Sequence, residues 1–134
     1  MILVDTGPLV ALVHEDDQHH ASCVAAFKEI RGPIGTVWPV LSEAMHLVAH
    51  LPASQEAVWE MLELHSVHLW PLNSVDIPRI RELMRKYADL PMDLADAALV
   101  AVAEREDIRT IFTVDKKDFA LYRLRGRLRF TVVP

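Results

Sequence analysis

Two rhythms of apolar and polar residues alternate along the chain. Met1-Ile2-Leu3-Val4 is an unbroken apolar run, the pattern of a strand buried on both faces. Asp5-Thr6-Gly7-Pro8 follows, where Thr6 can N-cap a helix that carries Pro8 in its first turn. From His20 to Ile30 the apolar residues Cys23, Val24, Phe27 and Ile30 recur at three- and four-residue spacings, which predicts an amphipathic helix ending before Gly32-Pro33. Gly35 to Trp38 reads as a short strand, and Pro39 opens a helix to about His50. Leu51-Pro52-Ala53-Ser54 breaks it ahead of a helix from Gln55 to Leu64. Val67 to Pro71 is strand-like, Ser74 caps a helix to about Ala88, and Asp93 opens the next to about Glu106. Residues 110–114 and 129–133 supply the last strands. Regular alternation of strand and helix predicts an α/β sandwich with a mostly parallel sheet and right-handed crossovers. With 134 residues and no repeat, low-complexity segment or linker, one core and a single domain over residues 1–134 are expected.

Composition narrows the function classes. A hydrophobic content of 51% beside 25% charged residues is that of an ordinary globular domain. The net charge of −5 argues against a general nucleic-acid binder, whose affinity comes from clustered Lys and Arg. Local distribution leaves one exception. Arg123, Arg125, Arg127 and Arg129 recur at every second residue, so an extended segment would turn them to one face, although Gly126 could bend the chain between them. That block admits a phosphate track for RNA or DNA, or an edge strand protected by charge. Cys23 is the only cysteine, which excludes an intramolecular disulfide and a cysteine-based zinc site. No basic leader and no run of apolar residues long enough to span a bilayer are seen, so a cytoplasmic protein without membrane association is expected.

The candidate chemistry lies in the acids. Asp5 directly follows the first apolar strand and Asp115 follows Thr110-Ile111-Phe112-Thr113-Val114, with Glu43 and the pair Asp93/Asp96 between them at helix starts. Parallel sheets place their ligand crevice at the carboxyl ends of the strands. Several carboxylates meeting there repel one another unless a cation neutralises them, and carboxylate with water is the ligation that Mg²⁺ or Mn²⁺ prefers. The implied chemistry is metal-assisted hydrolysis of a phosphodiester. Asp93 and Asp96, three residues apart at a helix start, divide the work: Asp93 caps while Asp96 faces the metal or its water. Asp118 either caps the short helix before Phe119 or reaches the same ion. Thr6 and Thr113 are placed to orient neighbouring carboxylates through their hydroxyls, with a plain N-cap as the other reading of Thr6.

These segments together resemble the successive motifs of a PIN domain. Ile2-Leu3-Val4-Asp5-Thr6-Gly7-Pro8-Leu9 comes first, Glu43 early in a helix second, Pro91-Met92-Asp93-Leu94-Ala95-Asp96-Ala97-Ala98-Leu99-Val100-Ala101 third, and Thr113-Val114-Asp115-Lys116-Lys117-Asp118-Phe119 last. The short layout is similar to the toxins of the VapBC toxin–antitoxin systems, over essentially the whole chain. The resemblance implies a three-layer α/β/α fold and a Mg²⁺-dependent endoribonuclease, with Mn²⁺ able to substitute. It implies products with a 5′-phosphate and a 3′-hydroxyl, a homodimer, and inhibition by a cognate antitoxin. Asp5, Glu43, Asp96 and Asp115 fall on the family's acidic positions, with Asp5 and Asp96 as metal ligands and Asp93 and Asp118 in support.

Other readings stand beside it. Glu43, His46 and His50 lie at i, i+3 and i+7 and would form a zinc-binding stripe on one helix, though no His-Glu-x-x-His sequence accompanies them. The acidic pocket could equally hold a partner's arginines in a non-catalytic interaction module. A PIN nuclease of RNA processing, without an antitoxin, would carry the same acids. Candidate residues for a partner groove are Val24, Phe27, Met45, Leu47, Trp59 and Leu62, against ordinary core or dimer burial.

Overall fold

A computed structural model describes every residue from Met1 to Pro134. The chain opens with strand β1 (Ile2–Val4), whose Leu3 and Val4 are wholly buried, and passes through Asp5 into helix α1 (Thr6–Val13). Helix α2 (His20–Glu29), strand β2 (Ile34–Thr36) and helix α3 (Trp38–Leu47) follow. Helix α4 (Pro52–Glu63) and the two-residue strand β3 (His68–Leu69) complete the first half. A 3-10 turn (Ser74–Asp76) leads into α5 (Ile77–Lys86), then α6 (Leu94–Glu106), β4 (Thr110–Phe112) and α7 (Lys116–Leu121). Strands β5 (Arg123–Leu124), β6 (Leu128–Arg129) and β7 (Thr131–Val133) end the chain.

The main sheet has the order β3-β2-β1-β4-β7, and every pairing in it is parallel. From β1 the chain builds outward to one side through β2 and β3, then returns to lay β4 and β7 on the other. The strand order therefore reverses between β1 and β4, the switch point at which a parallel sheet leaves a crevice beyond its carboxyl ends. Helices cover the sheet in a three-layer α/β/α arrangement: α1 packs on α2, α3 and α4, and α6 packs on α5 and α3. One cluster of 31 buried apolar residues forms the core, and nearly all of α6 from Ala95 to Ala103 enters it. That helix is apolar on all sides because it is surrounded. Two ion-pair systems clamp it to its neighbours. Arg79 of α5 donates to both carboxylate oxygens of Glu104 at 2.7 Å, and Arg105 reaches the buried Asp76 at 2.8 Å.

Several local expectations change. Asp5, not Thr6, caps α1, because its carboxylate accepts the Thr6 N–H at 2.8 Å and Thr6 is already helical. The second strand stops at Thr36, and Trp38 begins α3 instead of ending the strand, since Pro39 presets helical geometry behind it. Asn73, not Ser74, forms a reciprocal capping pair with Asp76. The expected strand over 129–133 is divided: Arg123–Leu124 and Leu128–Arg129 form an antiparallel hairpin, and only Thr131–Val133 joins the main sheet. Arg125 and Gly126 have positive φ values of 51° and 74° at its turn. The four arginines therefore do not share one face. Arg123 donates to the carbonyls of Ala120, Leu121 and Tyr122 at the end of α7. Arg125 is tied to Glu104 through both its backbone N–H and its guanidinium, while Arg127 and Arg129 remain exposed.

Candidate active site

Asp5 lies where β1 meets α1, beside the switch point, and only 8% of its surface reaches solvent. A carboxylate so buried needs compensating donors. Its Oδ1 takes the Thr6 N–H and its Oδ2 takes the Thr113 hydroxyl at 2.9 Å. Thr113 immediately follows β4, so the strand pairing of β1 with β4 brings together two residues far apart in the chain. The same hydroxyl accepts the Asp115 N–H at 3.0 Å, linking Asp5 to the start of α7. Gly7 permits this closeness, because a Cβ there would collide with the side chain of Val114.

Asp93 caps α6 as expected: its carboxylate accepts the Asp96 N–H at 2.8 Å. Asp96, in the first turn of that helix, accepts a 2.7 Å hydrogen bond from the hydroxyl of the fully buried Tyr122. Asp115 caps α7 by accepting from the Asp118 N–H, so the capping role considered for Asp118 belongs to Asp115. Glu43 sits in the second turn of α3, past the reach of the first-turn dipole.

The six acids share one electrostatic field. Burial pushes the Asp5 carboxyl above its ordinary range, opposed by its two hydrogen bonds and reinforced by the charges of Asp93 and Asp115. Asp96 is pushed up to about 8, chiefly by burial, against the Tyr122 hydrogen bond and with the charges of Asp5, Asp93 and Asp115. Glu43 is raised by burial and then by Asp93 and Asp5, and Asp118 by burial and then by Asp115. Burial and the Asp96 contact in turn hold the Tyr122 phenol protonated, so it serves as a fixed donor.

These oxygens suit a hydrated hard cation. No three His, Cys, Asp or Glu side chains come together closely enough to hold an ion between them, so the acids rim the crevice without converging on one point. Magnesium keeps several waters and takes one or two carboxylates. The Thr6 hydroxyl is buried beside the acids, near enough to the Glu43 carboxyl to oppose the rise that burial imposes on it. The zinc stripe has no support: His46 and His50 both lie exposed, and His50 is beyond the end of α3.

Sequence reasoning missed two residues here. Tyr122 carries no local signal of its role, because Asp96 lies 26 positions away. Trp38, exposed to solvent, lines a cleft of about 640 Å³ that Glu43 and Asp93 also line. A separate groove of about 390 Å³ runs between α1, α2 and α4, lined by Leu12, Val24, Phe27, Met61 and Leu64. Val24 and Phe27 were expected there, while Met45, Leu47, Trp59 and Leu62 are not part of its wall.

A switch-point crevice rimmed by carboxylates from β1, α3, α6 and α7 is the architecture of a PIN-fold protein, and residues 2–125 match the PIN domain family, to which this chain belongs. It is 29% identical over 136 residues to Ribonuclease VapC26 of Mycobacterium tuberculosis, covering 99% of this chain and 100% of that protein. Among solved structures, the M. tuberculosis VapC20, a sarcin-ricin loop cleaving toxin, matches with a TM-score of 0.79 at 18% identity, over 87% of this chain and 92% of that one. VapBC2 from Rickettsia felis, bound to a DNA fragment from its promoter, matches at 0.68 and 16%, over 100% of both chains. At these identities the structural likenesses establish the fold alone.

Proposed function

We propose that this chain is a divalent-metal-dependent endoribonuclease and the toxin of a type II toxin–antitoxin pair, acting in the cytoplasm as a single domain over residues 1–134. The observation that carries the reading is Asp5, buried at the switch point, fixed through both carboxylate oxygens and facing the charges of Asp93 and Asp115. Its full-length similarity to a ribonuclease supports RNA as the substrate.

Asp5 and Asp96 would hold Mg²⁺ or Mn²⁺, with Asp115 and Glu43 completing the acidic wall. The ion would supply a Lewis acid that stabilises developing phosphate charge and acidifies water near neutral pH. Thr113 keeps the Asp5 carboxylate from rotating, and Tyr122 does the same for Asp96. Glu43, whose carboxyl is raised by burial and by the charges of Asp93 and Asp5, is placed to exchange a proton at the site. Asp93 and Asp115 spend one oxygen each on helix capping and keep the other for the site. Hydrolysis would leave a 5′-phosphate and a 3′-hydroxyl.

The groove between α1, α2 and α4 suits an apolar helix of an antitoxin, whose basic tail would then meet the acids. Exposed Ile77, with Ile80 and Met84, gives α5 an apolar face suited to a second copy of the chain. No helix is long and apolar enough to cross a membrane.

The test is RNA cleavage by purified wild-type protein and Asp5→Asn in EDTA, Mg²⁺ or Mn²⁺, after both are shown to be folded. Cleavage that requires metal and disappears in the variant is expected. Equal cleavage by both proteins would overturn the assignment.

A further inference from the structure

We propose that the cleft between the N-terminal ends of α3 and α6 is a subsite for one unpaired nucleobase, stacked on the Trp38 indole beside the scissile phosphate. The inference rests on the nuclease reading and adds how the strand is gripped.

Trp38 is 53% exposed at the first position of α3, and Leu94, the first residue of α6, is 50% exposed. Neither position needs a large apolar side chain for the fold, since the buried residues of α3 are Val40, Leu41 and Ala44. Both line the cleft of about 640 Å³, together with Ser42 and Leu72, and Glu43 and Asp93 of the acidic cluster line it too. An occupant of the cleft therefore touches the catalytic acids.

The chemistry of the wall selects the part of RNA that fits. No Lys or Arg lines it, so a phosphate placed there would meet two carboxylates and no cation. A flat, uncharged base meets an indole face, two leucines and a hydroxyl. Stacking on an exposed aromatic is the general way in which proteins hold splayed bases, and it tolerates every base because each has a π-face. A paired base is not free to enter, so the subsite demands a single strand or loop.

The test uses the intact protein in Mg²⁺ with a random-sequence decaribonucleotide, followed by stopped-flow tryptophan fluorescence before turnover and by anisotropy of the 5′-labelled strand. The single strand should quench wild-type fluorescence, and the same strand annealed to its complement should not. Trp38→Phe should lose that quench yet keep most of the affinity, because it retains a ring. Trp38→Ala should weaken binding by between about fivefold and 150-fold, the range for losing one base stack, and raise KM more than it lowers kcat. Absence of quenching in the wild type, or unchanged affinity in Trp38→Ala, would overturn the subsite. So would quenching by protein self-association alone, which would assign Trp38 to a contact between copies. Metal-dependent cleavage that ignores Trp38→Ala leaves the nuclease standing without the subsite. Trp38-dependent binding without cleavage leaves the subsite standing and removes the nuclease.

Discussion

Asp5 tolerates burial only through its two donors, so the Thr113 hydroxyl is a control point for the whole site. Thr113→Val keeps the shape and removes the hydrogen bond, and cleavage is expected to fall by about 10–100-fold at limiting Mg²⁺. Thr113→Ser should restore it, measured as initial rates across a Mg²⁺ titration. The pH response follows from Asp96. Its carboxyl is raised from 3.8 to about 8 on folding, so the unfolded chain ionises first as pH rises. Metal-free protein should lose this contribution progressively between those values, and Asp5, Glu43 and Asp118 act with the same sign. Glu104 acts oppositely: burial works against its charge, but Arg79 and Arg125 hold its carboxyl low, so its contribution fades only in acid. The thermal midpoint in EDTA should therefore fall from pH 6 to pH 8, and Mg²⁺ should recover more at pH 8 than at pH 6. An identical Mg²⁺ shift at both values would rule out a protonated site. Asp93 as a helix cap was legible from spacing, since its partner is three residues away. The Tyr122–Asp96 bond was not, because it joins two elements through the fold.

At the scale of elements, the hairpin of β5 and β6 divides an arginine series that reads as uniform in the sequence. Arg123 and Arg125 are engaged with carbonyls and Glu104, whereas Arg127 and Arg129 are exposed without ion pairs. Arg127→Ala with Arg129→Ala should weaken RNA binding and reduce its salt slope by about 0.7 for each phosphate no longer neutralised. Arg123→Ala should instead lower the thermal midpoint and leave the salt slope unchanged. Filter binding at several salt concentrations and melting curves separate the two. Helix α2 was readable from its apolar spacing and α6 from its Asp93 cap, both of them local signals. The hairpin was not, because strands of two residues carry almost no periodic signal.

The molecule as a whole carries a net charge of −5 and an acidic crevice, which favours a partner with a basic segment. An antitoxin helix in the groove of α1, α2 and α4 would cover Leu64, which is 74% exposed and therefore expendable for the fold. Leu64→Asp should weaken antitoxin binding at least about tenfold, since a buried unpaired charge is costly, and leave cleavage by the free protein intact. Calorimetry with the cognate antitoxin checks the first half, and the cleavage assay checks the second. Alternating strand and helix patterns were enough to indicate an α/β protein with its acids at strand ends and helix starts. Those patterns arise from backbone geometry within a few residues, so the sequence alone determines them. Tertiary structure decided what the acids become. The parallel pairing of β1 with β4 sets Thr113 against Asp5 across 108 positions. The packing of α6 against β5, which Tyr122 immediately precedes, puts Tyr122 on Asp96. The packing of α3 and α6 leaves Trp38 in solvent in a cleft it shares with Glu43 and Asp93. Burial, orientation and shared charge are properties of groups brought together by folding, and no local pattern along the chain contains them.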